Sequence, residues 1–455
     1  MPNFNREDEE WFEKYCYDQK IDQVAFAARS FQRQLLASQK QSSSRLNKMV
    51  AAQLEAMLQH ASRNVDHYSH LKKLQFKKAA QSSAMFRMIP TLTRSEVQSA
   101  ESALIASELP SGHSIVGRNR SSGTTGNPIE ISITNIFHMW QKALALRANI
   151  WARRDFKKDL AIIRKFPKSE GFDGTPQAHW GDSQAYPFQT GTRYMGEISN
   201  TTIEQQFKWL VEHQPAYLLT FPSLAAGLLA VSEQSGFAWK PKGIMTLGES
   251  LTDSLRYEIT DKWGIGVDDT YSAEECGVIA LQCPSHGNYH IQSENLIVEV
   301  LDEAGKPCSS GKIGKVVITT LNNFASPLIR YEIGDYAIAG GKCGCGRVGP
   351  TLQKIIGRSR HLLSTKDGKI WPSFGFRKLR NAFGIGMYQA RQVTIDKLNF
   401  EFTANSTLAS DQITQIHAHI AQVLPSGMEI SIRQVDEIKR PENGKIEVFI
   451  NEMTL

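Results

Sequence analysis

Short apolar runs alternate with amphipathic stretches between about residues 159 and 271, and this alternation restricts the fold more than any other feature of the chain. Leu160-Ala161-Ile162-Ile163, Tyr217-Leu218-Leu219-Thr220-Phe221, Gly243-Ile244-Met245-Thr246-Leu247 and Val267-Asp268-Asp269-Thr270-Tyr271 read as short buried strands. Helical spacing fills the gaps from Ile203 to Glu212 and from Thr252 to Trp263. Strands separated by helices predict a parallel sheet, and such sheets bind ligands beyond the carboxyl ends of their strands. Glu249 and Glu275 each follow a predicted strand, so both can reach one crevice.

The flanking regions complete an α/β fold class. Residues 1 to about 90 read as a mostly helical lead-in. Ser42 to Ser44 offer N-caps, and Leu46, Met49, Val50, Leu54, Met57, Leu58 and Ala61 fall on one helical face. Thr93-Arg94-Ser95-Glu96, after Pro90, has the pattern of a capping box that opens another helix. From His290 to Thr320 the chain turns strand-rich, as a β subdomain would. Gly357-Arg358 marks a boundary, and the residues beyond it mix short strands with a helix from about Ser410 to Val423. The expected organisation is a large multi-subdomain N-terminal domain over 1–358, with parallel sheets and a β subdomain. A small mobile α+β C-terminal lid over 359–455 completes it. No internal repeat is visible.

Composition narrows the function classes. At 455 residues the chain is too long for one typical domain, and 41% hydrophobic residues suffice for sizeable cores. The net charge of +6 is a modest excess and reads as solvated surface biased towards anionic ligands. The basic clusters at Lys72-Lys73, Lys77-Lys78 and Arg153 to Lys158 are not interleaved with stacking aromatics, which argues against nucleic acid. No run reaches the roughly 20 apolar residues of a membrane span. The acidic, polar N-terminus is unlike a signal peptide, so the expected compartment is a reducing cytoplasm.

Ser121-Ser122-Gly123-Thr124-Thr125-Gly126-Asn127-Pro128 packs four hydroxyls and two glycines into its first six positions. Glycines let backbone N–H groups turn towards an anion, and hydroxyls add neutral donors. The run lacks the G-x-x-x-x-G-K-[ST] order of the common nucleotide loop. Composition alone also fits a flexible linker. Against that, Ile129 to Ile133 alternates like a strand and Ile136 to Trp151 reads as a helix, so the run is fixed at its far end.

Further motifs follow in order: Gly248-Glu249-Ser250, Tyr271-Ser272-Ala273-Glu274-Glu275, Arg330-Tyr331-x-x-Gly334-Asp335, Gly357-Arg358 and Arg440-Pro441-x-x-Gly444-Lys445. With the hydroxyl-rich run, this series resembles the adenylate-forming enzyme superfamily over nearly the whole chain. The likeness is closest to the phenylacetate–coenzyme A ligase branch and the related adenylating proteins of capsule biosynthesis. The resemblance implies joining of a carboxylic acid to ATP, release of pyrophosphate, and acyl transfer to coenzyme A. Carrier-protein or amine acceptors, a deazaflavin-type nucleotidyl transfer, and a non-catalytic nucleotide-binding relative are the alternatives.

By that resemblance Ser121, Ser122, Gly123, Thr124, Thr125 and Gly126 would cradle phosphates, and Gly248, Glu249, Ser250 and Tyr271 would lie along the nucleotide. Glu275 would hold Mg²⁺, Asp335 the ribose hydroxyls with Arg358 nearby, and Lys445 the carboxylate and α-phosphate. Taken singly, Asp335 could be a turn residue, Gly444-Lys445 a hairpin tip and Glu274-Glu275 an exposed acidic pair. Ser272 and Glu274 depart from the family's Tyr-Gly-x-Thr-Glu pattern, and Ser359-Arg360-His361 replaces the usual acidic hinge. The acid pocket is expected near Tyr217 to Ser223, after Gly243 and around Trp180-Gly181-Asp182; the acid itself is not readable.

Cys343-Gly344-Cys345 and Cys283, with His286 and His290 downstream of it, form a second constellation. The ligase branch carries a similar set read as a structural zinc site, which favours Cys283, His290, Cys343 and Cys345 and leaves His286 solvated. Unligated thiols are the other reading. Cys276 and Cys308 have no partner by spacing and are treated as structural.

Overall fold

The computed structural model describes the chain except residues 1–3, 17–22, 122–127, 166–175, 199–200, 359–361, 367, 371–373, 375, 405, 439–447 and 455. Its N-terminal layer holds helices α1 (Phe4–Cys16), α2 (Gln23–Ser38), α3 (Ser43–Asn64), α4 (Phe76–Gln81), α5 (Ser83–Phe86) and α6 (Arg94–Ala100). Ser42 caps α3 through the Arg45 amide, and Leu46, Leu54, Met57, Leu58 and Ala61 are buried along its expected face. Ahead of α6, Thr93 and Glu96 bond reciprocally, at 2.7 and 3.3 Å, as the capping pattern predicts.

A hairpin, β1 (Ile115–Arg120) with β2 (Glu130–Thr134), leads into α7 (Asn135–Trp151). The alternating region then gives β3 (Leu160–Arg164), β4 (Arg193–Glu197), α8 (Ile203–His213), β5 (Tyr217–Thr220), α9 (Pro222–Gln234), β6 (Gly243–Leu247), α10 (Asp253–Trp263) and β7 (Val267–Ala273). Strands β4, β3, β5, β6 and β7 lie side by side in that order, all parallel. Connections leave β3 towards β4 and return past it to β5, so the crevice between β3 and β5 is a topological switch point. Ala161, Leu218, Leu228, Ile244 and Trp263 fill the core under this half. A side chain of Leu218's type contributes roughly 1.5–3 kcal/mol on full burial.

The strand-rich stretch continues the same sheet as an antiparallel wing. It comprises β8 (Gly277–Gln282), β9 (Tyr289–Ile291), β10 (Leu296–Leu301), β11 (Ile313–Thr320), β12 (Tyr331–Ala339) and β13 (Thr351–Arg358). Among the described residues the full order is β10-β11-β12-β13-β9-β8-β7-β6-β5-β3-β4, eleven strands. The join is the tight turn between β7 and β8, where Ala273 faces Gly277 across the ladder. Gly277 has φ +70°, and a Cβ there would lie 2.0 Å from the Gln141 side chain, whose Oε1 accepts the Val278 amide at 2.7 Å. Glu274 and Glu275 sit in this turn, where the parallel half meets the antiparallel wing.

Beyond Arg358 come β14 (Leu363–Thr365), β15 (Gly368–Ile370), α11 (Phe376–Phe383), β16 (Ile385–Thr394), β17 (Lys397–Ala404), α12 (Ser410–Ala421), β18 (Glu429–Gln434) and β19 (Phe449–Asn451). A four-stranded sheet, β18-β17-β16-β19, packs Phe400, Phe402 and Phe449 against Ile416 and Ile420 of α12 in a core of its own. Arg380 of α11 pairs with Glu258 of α10 and lies 3.6 Å from Glu233 of α9. Among the described residues no helix is long and apolar enough to cross a membrane.

Candidate functional site

Asp335 and Arg358 face each other across the β12–β13 ladder, and Arg358 Nε lies 3.2 Å from Asp335 Oδ1. Tyr271, at the carboxyl end of β7, donates its hydroxyl to Asp335 Oδ2 at 2.8 Å. One carboxylate is thus gripped from two strands, by a tyrosine 64 residues before it in sequence and by an arginine on the neighbouring strand. Burial pushes the Tyr271 hydroxyl up, and the Asp335 charge adds to the shift, so tyrosine stays protonated and donating. Arg358 is raised first by Asp335 and, after the opposing effect of burial, by Glu275. Gly334 has φ +85°, and a Cβ there would sit 3.0 Å from Arg358 Nη1, so its side-chain-free backbone leaves the guanidinium its path.

Glu275 is buried whereas Glu274 is exposed, so the two are not a solvated acidic pair. Glu274 therefore turns to solvent, and its carbonyl accepts Asn119 Nδ2 at 2.9 Å. Arg94 Nη1 lies 3.1 Å from Glu275 Oε1, and its Nη2 donates to Ser121 Oγ at 2.8 Å. The same Ser121 oxygen accepts the Ile129 amide at 2.8 Å, while the Ser121 amide donates to the Ile129 carbonyl at 2.9 Å. Both ends of the hydroxyl-rich run are thereby tied together at the neck of the β1–β2 hairpin. Ser122, Gly123, Thr124, Thr125 and Gly126 lie outside the described residues, as does Lys445.

Glu249 follows β6 as expected, but its carboxylate is engaged locally. It accepts the Ser223 amide at 2.9 Å and the Ser223 hydroxyl at 3.0 Å, which supplies the start of α9 with a cap that Phe221 cannot provide. Glu249→Ala should therefore lower stability by about 1 kcal/mol in a urea melt, the usual worth of such a cap. Gly248 turns with φ +78°, and Ser250 Oγ donates to the Ile356 carbonyl at 3.1 Å, tying the turn to β13. Trp180 and Tyr217 are buried with ring centroids 5.7 Å apart, in one cluster with Phe156 and Phe188. Both rings, which belong to stretches expected to border an acid pocket, pack in this core.

A second site lies at the other end of the wing. Cys283 follows β8, His290 lies in β9, and Cys343 and Cys345 lie in the β12–β13 connection. One ligand atom from each falls within 4.8 Å of all the others, and all four residues are buried, so the set could hold a metal ion. His290 Nε2 is 3.3 Å from Cys345 Sγ, whereas His286 is exposed. A hydrogen bond from Cys283 and then one from His290 pull the Cys345 thiol down against its burial, and the same pairing pushes Cys283 up. The cluster therefore already favours a thiolate.

The N-terminal helices fasten onto this centre. The Trp151 ring stands edge-on to His290 at 5.6 Å, and Arg347 lies over Trp151 at 4.3 Å. Arg347 Nη2 meets Asp8 of α1 at 2.9 Å, and Gln39 bridges Trp151 Nε1 and Asp8 at 2.9 and 2.8 Å. Sequence reading reached neither this clasp nor the Arg94 contacts. Arg94 read only as part of a capping box, and nothing local points to a carboxylate 181 residues away.

No protein-family model matches the chain. Three curated relatives are phenylacetate–coenzyme A ligases. That of Pseudomonas putida is 24% identical over 74% of this chain and 78% of its own length. The Escherichia coli protein is 26% identical over 57% of this chain and 59% of its length. For that of Thermus thermophilus the figure is 27%, over 39% of this chain and less than half, 41%, of the relative. Among solved structures, a 2-hydroxyisobutyryl-CoA ligase in its postadenylation state aligns over 92% of both chains with a TM-score of 0.75 and 17% identity. An anthranilate CoA ligase with bound anthranoyl-AMP aligns over 73% of this chain and 65% of its own, with a TM-score of 0.56 and 15% identity. The chain is thus phenylacetate–coenzyme A ligase-like in sequence and shares the fold of adenylate-forming ligases.

Proposed function

We propose that this protein activates a carboxylic acid with ATP, releasing pyrophosphate, and passes the acyl group from the adenylate to coenzyme A with release of AMP. The observation that carries the reading is the Tyr271–Asp335–Arg358 grip together with buried Glu275, which Arg94 links to the tied neck of the hydroxyl-rich run. Asp335 would accept both ribose hydroxyls, with Tyr271 and Arg358 fixing its rotamer. The backbone and hydroxyls of Ser121 to Gly126 would take the departing phosphates. The acid's carboxylate would attack the α-phosphorus beside the switch point between β3 and β5. Lys445 would approach from the C-terminal unit, residues 359–455, acting as a lid on the N-terminal 1–358.

Charge accumulates on phosphate oxygens in that step, so positioning and neutralisation dominate catalysis. Glu275 is the hard, buried carboxylate suited to Mg²⁺, which would neutralise the phosphates. The three sulfurs and one imidazole of Cys283, His290, Cys343 and Cys345 suit a tetrahedral structural Zn²⁺. Thiols kept for a metal fit a reducing compartment such as the cytoplasm.

Asp335→Asn should raise the KM for ATP about tenfold, the worth of roughly 1.5 kcal/mol from a charged hydrogen-bond acceptor, with a smaller change in kcat. Initial rates of pyrophosphate exchange at varied ATP measure it, and an unchanged KM would remove Asp335 from the ribose site. The acceptor is tested by mass spectrometry of a reaction with the best acid. An acyl-coenzyme A product supports the reading. An adenylate that persists with coenzyme A and is consumed by a carrier protein or an amine replaces it.

A further inference from the structure

We infer that Arg94 is a positioning residue that occupies Glu275 while nucleotide and metal are absent, and yields that carboxylate to the divalent cation when they bind. The inference rests on the reading of Glu275 as the metal carboxylate.

A buried carboxylate needs a partner, and Glu275 is paired with Arg94 at 3.1 Å. Arg94 keeps more solvent contact than Glu275, with side-chain exposures of 22% and 4%, so it is the partner able to move. Its other nitrogen already donates to Ser121, the first residue of the hydroxyl-rich run. Leaving Glu275 would free the guanidinium's planar donors for a nucleotide phosphate arriving beside Ser121.

Two further features support an exchange of partners over a fixed strut. Tyr331 is fully buried, yet its hydroxyl has no hydrogen-bond partner among the described residues. It is close enough to Glu275 and Arg94 to feel both charges, so the pair lies beside an unsatisfied polar group. The base of Arg94 is also fixed to the nucleotide strand. Leu92 donates to the Arg330 carbonyl and accepts the Glu332 amide, both at 2.8 Å, and Thr91 Oγ1 donates to Glu332 at 2.7 Å. The backbone stays with β12 while the long side chain is left to choose between Glu275 and the phosphates.

An arginine competing with the cation makes a prediction that a structural salt bridge does not. Removing its charge should tighten metal binding and weaken nucleotide binding. Arg94→Met keeps the length without the charge, and Arg94→Lys restores it. Mn²⁺ binding to the full chain without nucleotide, followed by the electron paramagnetic resonance of free Mn²⁺, should be on the order of tenfold tighter in Arg94→Met than in the parent. ATP affinity in EDTA, by equilibrium dialysis, should fall by a similar factor, and Arg94→Lys should return both towards the parent. Glu275→Gln should abolish the Mn²⁺ site. If it does so while Arg94→Met binds Mn²⁺ no more tightly, the exchange is wrong and Glu275 stands as the metal ligand. If Glu275→Gln leaves Mn²⁺ binding intact, the reading of Glu275 falls and this inference with it. Should Arg94→Met prove unstable, Arg94→Gln takes the same measurement.

Discussion

Lys445→Ala is expected to slow adenylation by roughly 10²–10³-fold, the scale for losing one group that stabilises charge only in the transition state. ATP affinity should fall far less, because ribose and phosphates would still be held by Asp335, Arg358 and the hydroxyl-rich run. In sequence Lys445 falls between β18 and β19, and Arg380 of α11, in the same C-terminal stretch, reaches Glu258 and Glu233. On the proposed reading, Lys445 would enter for the first step and withdraw for the second. Single-turnover formation of the acyl adenylate measures the chemical step directly. Equal rates in the variant and its parent would take Lys445 out of the mechanism.

Metal loss from the cysteine–histidine centre should cost most in stability. About one zinc per chain is expected to copurify, and Cys343→Ser should lose it. Without the ion, the four buried site residues lose the cation that would organise them, and breaking such a buried charge arrangement costs roughly 3–5 kcal/mol. In a chain of this size that lowers Tm by roughly 3–5 °C. The damage should spread to the N-terminus, since Arg347, two residues from Cys345, holds Asp8 of α1 and stacks on Trp151. Proteolysis within the first forty residues should therefore accelerate in Cys343→Ser. A parent free of metal, with its four site residues unprotected from thiol and histidine reagents, would contradict the assignment.

The parallel half of the sheet is legible in the chain because each strand carries its own signal. Leu160 to Ile163 and Gly243 to Leu247 are buried runs between helices, and their pairing follows from that alternation alone. β4 is not legible. Arg193-Tyr-Met-Gly-Glu is short and mixed in polarity, and it becomes a strand because β3 offers an open edge. β1 is similar, since its exposed Ile115 and Val116 give no inward face to read.

At the site, Asp335 and Arg358 belong to motifs that the sequence displays, but their pairing depends on the register of β12 against β13. Glu249 shows the opposite limit: its place after a strand is readable, while its duty to the start of α9 needs Ser223 in view. Charge pairs such as Arg94 with Glu275 leave no periodic trace, because only the assembled sheet makes them neighbours.

Carboxylate-dependent exchange of labelled pyrophosphate into ATP, run with magnesium across a panel of carboxylic acids, tests the central claim most directly. Exchange should appear with at least one acid, vanish without acid, and fall by the predicted 10²–10³-fold in Lys445→Ala. Nucleotide binding in the parent without exchange for any acid in the panel would contradict adenylation and leave a nucleotide-binding relative.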